Sequence, residues 1–176
     1  GVHIDSLTYK LYQVAGNPFI QFDTYNPELD LLMEVNPGIF IVNTNRTYMD
    51  DAWRDMLGDG KKGKAAAYYD RKNAVRRISK GSTVFLYHTG VGVIAKGKAT
   101  GGVQITDYSG DADEEFFVPL QFEWALPSPD TWSSRAPKAY EINASTGASN
   151  RFRQTVFNAS EEMRDAIQAV WVARKG

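Results

Sequence analysis

The segment spanning residues 83–127 reads as a succession of β-strands separated by short turns. Residues 84–87 are apolar, and a second mostly apolar run covers 91–100. Only the tripeptide His88-Thr89-Gly90 separates the two runs, which predicts a tight turn between two strands. A further run, 116–127, alternates large apolar and more polar residues in its second half, the pattern of a half-buried strand. Successive strands this close in sequence favour a small, strongly bent sheet or barrel, and this restricts the folds open to the chain.

The remaining segments supply further strands and a few helices. Strands are predicted over 38–45, 104–108, 140–142 and 152–157. Helices are predicted from a cap at Thr47 or Asp50 to about Leu57, over 65–78, and from a Ser160 cap to the end of the chain. Residues 127–138 carry three prolines and predict a long exposed loop bearing Trp132. The fold class is therefore α+β: a bent β-barrel of about five to seven strands with helices outside. Residues 1–36 form an N-terminal extension and 37–176 the folded domain.

Composition removes several classes of site. The 176 residues include no cysteine and only two histidines, His3 and His88. Disulfides, thiolate catalysis and cysteine-based zinc sites are therefore excluded, and we expect neither a metal nor another cofactor. The sequence has no apolar run of membrane-spanning length and no signal-peptide pattern, so we expect a soluble, cytoplasmic protein. The chain begins without methionine, and we expect a longer parent protein.

Charge is unevenly distributed along the chain. Residues 61–80 carry eight basic residues against Asp70, a net charge of +7, whereas 107–123 carry six acidic residues and no basic one. A basic segment of this density predicts a surface that attracts nucleic-acid phosphates. The residues expected to contact the backbone are Lys61, Lys62, Lys64, Arg71, Lys72, Arg76, Arg77, Arg151 and Arg153.

Catalytic motifs are weak by comparison. His88 has Ser79, Ser82 and Thr89 near it in sequence, but no spacing identifies a catalytic triad. The glycines after Thr89 lack the Lys-Ser/Thr pair of a phosphate-binding loop, and no helix is predicted to follow them. We therefore predict a binding domain without catalytic activity; a small hydrolase or nuclease using His88 is the rival from another class.

Several short motifs resemble those of the PUA superfamily, in particular its EVE-type and YTH-like members. They are the first strand ending V-N-T-N at Asn45, the turn Lys80-Gly81-Ser82, the strand and polar step V-F-L-Y-H-T-G ending at Gly90, and the glycine-bearing strand over 92–97. The ending over 150–167 resembles the closing strand and helix of these domains. Ser82 departs from the aspartate usual at its position. The resemblance covers residues 38–172.

The resemblance implies a bent β-barrel that binds nucleic acid and holds a modified base in an aromatic-lined pocket. Carried to matching positions, it suggests a pocket built from Asn43, Thr44, Asn45, His88, Thr89 and Gly90, with Trp53 as one wall and Trp124 or Trp132 as another. The implied role is to read methylated or otherwise modified DNA by base flipping. The domain would then target an attached effector such as a modification-dependent restriction endonuclease. An RNA-binding module of the same fold is the alternative.

Overall fold

The computed structural model describes residues 37–46, 50–147 and 152–175. The chain divides into two units, Gly1–Asn36 and Pro37–Gly176, and every described residue lies in the second. The N-terminal extension, the residues 47–49 that precede the first described helix, and Arg151 lie outside the described residues.

The described residues form a curled, mixed seven-stranded sheet, a half-barrel with helices packed on its outside, which confirms the α+β fold with a strongly bent sheet expected from the sequence. In chain order the elements are β1 (Ile39–Asn43), α1 (Ala52–Leu57), β2 (Lys62–Tyr68), a 3-10 helix (Tyr69–Arg77), β3 (Thr83–His88), β4 (Gly92–Ala99), β5 (Gln104–Tyr108), β6 (Asp111–Ala125), a 3-10 turn (Pro129–Thr131), α2 (Trp132–Arg135), α3 (Ala139–Thr146), β7 (Val156–Asn158) and α4 (Glu161–Lys175).

The sheet has one parallel pairing, between β1 and β3. Strand order is β2-β6-β4-β3-β1-β7, with β5 on β6; β1 runs parallel to β3, and the other neighbours are antiparallel. The β1–β3 register places Asn43 opposite Tyr87. Because both strands end at the same edge, the residues that follow each of them meet there.

The two faces of the sheet build two apolar cores. Side chains alternate across a strand, so Val42 and Leu86 point into the half-barrel while Ile41 and Phe85 point to the other face. The outward set packs against the outer helices through residues such as Ile142 and Ile167. Each central strand is therefore covered on both sides, as its nearly continuous apolar sequence requires.

The central strands and the closing helix follow the sequence prediction. β1, β4 and β5 form within the segments predicted for them, and β3 extends one residue beyond each end of the predicted 84–87. Ser160 accepts a hydrogen bond at its Oγ from the backbone N–H of Met163 (3.1 Å), which is the capping contact that starts α4. Glu161 and Glu162 occupy its first turn, where the helix dipole favours acidic side chains.

The helix predicted over 65–78 is wrong. Residues 62–68 instead form β2, which pairs residue by residue with 115–121 of β6. Ala65, Ala66 and Ala67 favour helix in isolation, but here they are completely buried in the sheet, and cross-strand pairing overrides that propensity. Tyr69 then takes a φ of 50°, and the chain continues as a nine-residue 3-10 helix.

Two further predictions, both between residues 127 and 147, are also wrong. Trp132 is not on an exposed loop: it starts α2, is only 6% exposed, and donates from Nε1 to the Leu126 carbonyl at 2.6 Å. The strand predicted over 140–142 is part of α3, because the Lys138 N–H is capped by Glu141 Oε1 (3.0 Å) and Gly147 ends the helix with a left-handed φ of 69°. The residues around Trp132 therefore close the core.

Gly63 tests how closely β2 and α1 approach. A Cβ at Gly63 would lie 2.1 Å from the Met56 carbonyl oxygen and 2.7 Å from the Phe122 ring, whereas one at Gly102 would have no neighbour within 4 Å. We expect Gly63→Ala to lower the free energy of unfolding by about 2 kcal/mol or more, measured by denaturant unfolding, and Gly102→Ala to change it by less than about 0.5 kcal/mol. Equal effects would contradict this packing.

Candidate functional site

The ends of β1 and β3 are joined by a compact hydrogen-bonded cluster. We name Asn43, Thr44, Asn45, His88 and Thr89 the strand-end cluster. Asn43 Nδ2 donates to Thr89 Oγ1 (2.9 Å), and the Thr89 N–H donates to Asn45 Oδ1 (2.6 Å). The Thr44 N–H donates to the Tyr87 carbonyl at 2.9 Å, which extends the β1–β3 pairing beyond the last strand residue. The structure thus brings together these five residues of the predicted pocket.

His88 is held in place through one of its ring nitrogens. Its Nδ1 lies 2.8 Å from Thr44 Oγ1, in hydrogen-bonding contact. Burial lowers the pKa of His88 from its ordinary value of 6.5, because the charged imidazolium is poorly solvated there. The ring is therefore neutral at pH 7, and it is half-buried at the strand end.

Three aromatic rings meet on the inner face of these strand ends. We name Trp53, His88 and Trp132 the inner aromatic cluster. The Trp53 and Trp132 centroids are 5.0 Å apart, nearly perpendicular at 81°, and the His88 and Trp132 centroids are also 5.0 Å apart. Trp132 is buried, whereas Trp53 and His88 are only partly so. Of the predicted aromatic positions, Trp132 therefore contacts the strand-end cluster through His88, and Trp53 packs against Trp132.

Trp124 belongs to a different part of the molecule. Its ring stacks on Trp171 of α4, with centroids 3.8 Å apart and an angle of 6° between the planes. The Arg135 guanidinium lies 4.8 Å from the centre of the same Trp171 ring. Trp124 therefore anchors the closing helix to the sheet, and the inner aromatic cluster is built without it.

A groove opens on the outer face, directly behind the strand-end cluster. It encloses about 690 Å³ and adjoins a hollow of about 210 Å³; both are lined by Thr89 and Arg153. We name the larger one the outer groove; its other lining residues are Arg71, Tyr87, Gly90, Ala139, Phe152 and Gln154. The hollow adds Asn43, Asn45, Arg46 and Thr155. Gly90, which was predicted at the pocket, thus lines the outer groove.

Sequence reasoning missed the aromatic side of this groove. Tyr87 and Phe152 form a tilted pair with centroids 4.7 Å apart. Tyr87 directly precedes His88, so strand alternation sends its side chain to the opposite face, a signal already present in the sequence. Phe152 arrives from far along the chain, where Asn43 Nδ2 donates to its carbonyl oxygen at 2.9 Å.

Two lysines of the basic segment are paired with glutamates of the acidic one. Lys64 Nζ lies 2.5 Å from Glu115 Oε2, and Lys72 Nζ lies 3.2 Å from Glu114 Oε2. The Lys64 pair follows from β2 lying alongside β6, which begins at Asp111 within the acidic segment, and Lys72 lies in the 3-10 helix directly after β2. The charges that are segregated along the chain are therefore adjacent in space, and fewer cations remain to attract phosphates.

Some of the remaining basic side chains contact other parts of the fold, and others are exposed to solvent. Arg77 donates to the Val156 carbonyl at 2.5 Å, and Arg76 lies over the Phe116 ring, 4.7 Å from its centre. Lys61 and Lys62 are exposed near the start of β2. Arg71 and Arg153 make no hydrogen bond or ion pair within the described part of the chain, and both line the outer groove.

The serines near His88 in sequence lie at the far end of β3. Ser82 precedes the strand and accepts at its Oγ from the Gly38 N–H (3.0 Å), whereas His88 is the last strand residue. Six residues of extended chain separate the two by roughly 20 Å. Among the described residues, no three histidine, aspartate or glutamate side chains are grouped to hold a metal ion. No described helix is long and apolar enough to cross a membrane.

Comparisons with known proteins give structural likeness alone. No family model matches the sequence, and no curated protein matches it significantly. The fold is similar to Atu2648 from Agrobacterium tumefaciens, with 15% identity over 76% of this chain and 92% of that chain and a TM-score of 0.47. It is similar to a Pseudomonas putida protein with 13% identity over 76% of this chain and 99% of that chain and a TM-score of 0.48. It is also similar to Rpa0253 from Rhodopseudomonas palustris, with 11% identity over 77% of this chain and 94% of that chain and a TM-score of 0.50. At these identities the likeness concerns the fold.

The Lys64–Glu115 pair is expected to stabilise the fold. The Glu115 side chain is 7% exposed, so removing Lys64 leaves a carboxylate with little solvent to replace its partner. We expect Lys64→Met to lower the free energy of unfolding by about 2 kcal/mol in denaturant titrations. Lys61→Met, at an exposed position, should change it by less than about 0.5 kcal/mol. Equal losses would show that the pair contributes nothing specific.

His88 predicts a pH dependence of stability. Its pKa is lowered in the folded protein from 6.5, so below pH 6.5 the unfolded chain binds the proton more readily. The free energy of unfolding should therefore decrease as the pH falls from 6.5 through the lowered pKa. Denaturant unfolding of the wild type and His88→Gln across this range should show a smaller decrease for the variant. Parallel curves would mean that His88 does not contribute.

Proposed function

We propose that this domain binds nucleic acid and reads a modified base, held flipped out of its stack at the inner aromatic cluster. One observation carries the proposal: the Trp132 ring contacts both Trp53 and His88 where β1 and β3 end in a hydrogen-bonded polar cluster. A nucleobase needs this combination, an aromatic face for its ring and polar groups for its edge. The sequence motifs that resemble EVE-type and YTH-like domains support the same function.

Trp53 provides the stacking surface. Its edge-to-face contact with Trp132 leaves no space for a base between them, so the base stacks on the other face of Trp53. In the free protein the Arg54 guanidinium lies over the Trp53 ring, 5.1 Å from its centre. An exposed cation–π contact contributes about 0.5–1 kcal/mol, whereas a stacked base contributes about 1–3 kcal/mol. The base therefore displaces Arg54.

The neutral His88 ring completes recognition of the base. Its Nδ1 is engaged by Thr44, which leaves Nε2 for the edge of the base. Flipping costs a few kcal/mol, and a methyl group adds only about 0.8 kcal/mol of apolar burial. Discrimination between modified and unmodified bases must therefore combine stacking, the hydrogen bonds to the edge and exclusion of the wrong shape.

In this proposal the domain is a non-catalytic specificity module of a modification-dependent nuclease or a similar effector. DNA is the expected substrate. A single-stranded RNA ligand held in the same way is the competing outcome. Under either outcome, binding requires no metal and is unaffected by a chelator.

A binding panel tests the function. Oligonucleotides carrying 5-methylcytosine, 5-hydroxymethylcytosine, N4-methylcytosine or N6-methyladenine, as duplex DNA and as single-stranded RNA, are titrated against unmodified controls by fluorescence anisotropy. We expect one modification to bind clearly more tightly than its unmodified control. Trp53→Ala should weaken that binding about 10- to 100-fold, the equivalent of 1–3 kcal/mol of stacking.

Matched variants separate stacking from folding. Trp53→Phe keeps an aromatic face and should retain most of the preference, and thermal unfolding of both variants reports whether the fold survives. Equal affinity for modified and unmodified oligonucleotides in the wild type would refute the reader function. Tighter binding of the modified RNA than of the DNA would assign the domain to RNA.

A further inference from the structure

We infer that the outer groove binds one phosphodiester group of the nucleic-acid strand whose base lies at the inner aromatic cluster. The inference rests on the nucleic-acid binding in the proposed function and adds a second subsite on the opposite face of the same strand ends. It names Arg71 and Arg153 as the residues that hold the phosphate.

Two guanidinium groups line the groove without a partner among the described residues. Arg71 comes from the 3-10 helix after β2, and Arg153 from the segment before β7, so the fold brings them together from distant parts of the chain. Both are exposed, and neither makes an ion pair or hydrogen bond with the described residues. Lys64 and Lys72, from the same basic segment, are instead neutralised by Glu115 and Glu114. The cations at the groove that lack an ion pair among the described residues are therefore arginines. An arginine side chain can donate two parallel N–H hydrogen bonds to two oxygens of a phosphate.

The rest of the lining suits a nucleotide and not a bare anion. Thr89 Oγ1 accepts from Asn43, which leaves its hydroxyl hydrogen free to donate, and Gln154 is exposed. The Tyr87–Phe152 pair supplies apolar surface for a sugar. Burial raises the pKa of the Tyr87 phenol above its ordinary value of 10.0, so it remains an uncharged hydroxyl. A groove of about 690 Å³ is within the size range of small-ligand sites.

The turn after β3 places the two subsites next to each other. His88 faces the inner aromatic cluster, and the next two residues, Thr89 and Gly90, line the outer groove. Consecutive Cα atoms are about 3.8 Å apart, so a strand crossing this turn can place a base on one side and its phosphate on the other. Gly90 has a φ of 81°, and a Cβ there would contact nothing within 4 Å, so the crossing is open.

Methylphosphonate substitution tests the subsite. Each phosphodiester near the modified base is replaced singly by an uncharged methylphosphonate in the best-binding oligonucleotide, and affinities are measured by anisotropy. In the wild type, one linkage should cost about tenfold in affinity. In Arg71→Gln/Arg153→Gln, binding should be weaker, the same linkage should cost little, and the slope of log affinity against log salt should fall by about 1–2. Lys80→Gln/Lys98→Gln, which removes two charges from exposed lysines that do not line the groove, is the matched control and should retain the linkage effect.

The outcomes separate this inference from the proposed function. Loss of the linkage effect in the arginine variant alone supports the phosphate subsite, even if the modified and unmodified bases bind equally. An unchanged linkage effect in the arginine variant overturns the subsite, as does the absence of any sensitive linkage in the wild type. The free modified nucleoside monophosphate is the last probe: if it binds as tightly as the oligonucleotide, the groove takes a free nucleotide and the phosphodiester assignment is overturned.

Discussion

The parallel pairing of β1 with β3 is the constraint on which the candidate site depends. Asn43 lies opposite Tyr87 in this register, so Thr44 and His88 become neighbours although they are far apart in the chain. An intervening helix, strand and 3-10 helix are needed to bring the chain back in the same direction. The contact between the two strand ends gives the site its polar residues, and Trp132 closes the half-barrel beneath them.

Charge is the second constraint, and its effect is local. The antiparallel pairing of β2 with β6 brings the basic and acidic segments together, which stabilises this corner of the sheet and neutralises Lys64 and Lys72. The guanidinium groups of Arg71 and Arg153 at the outer groove have no acidic partner among the described residues. The domain therefore attracts a polyanion only modestly at long range. For the proposed binding, the position of the charges beside the strand ends matters more than the total charge.

The sequence carries enough information for the central strands and for most of the strand-end cluster, but less for what surrounds them. Apolar runs and the residues at their ends identify β1 and β3, and a serine followed by acidic residues identifies the start of α4. The helix prediction fails at Ala65–Ala67 because alanine, although it favours helices, also fits a crowded strand, and the partner strand lies about fifty residues further along the chain. Trp132 was misread because prolines nearby suggest exposure, whereas burial depends on a fold-back that no local pattern encodes. Arg71 and Phe152 reach the groove only through the closure of the whole sheet.

Alternation along β3 has a consequence for how such a domain can change. Tyr87 and His88 are adjacent in sequence but serve opposite surfaces, so a substitution at one position leaves the other surface intact. In the proposed function, selectivity for the base and affinity for the phosphate can therefore be adjusted independently, by point changes within a single strand. An inserted or deleted residue in β3 has the opposite effect: it exchanges the two faces at once, and both surfaces are lost together.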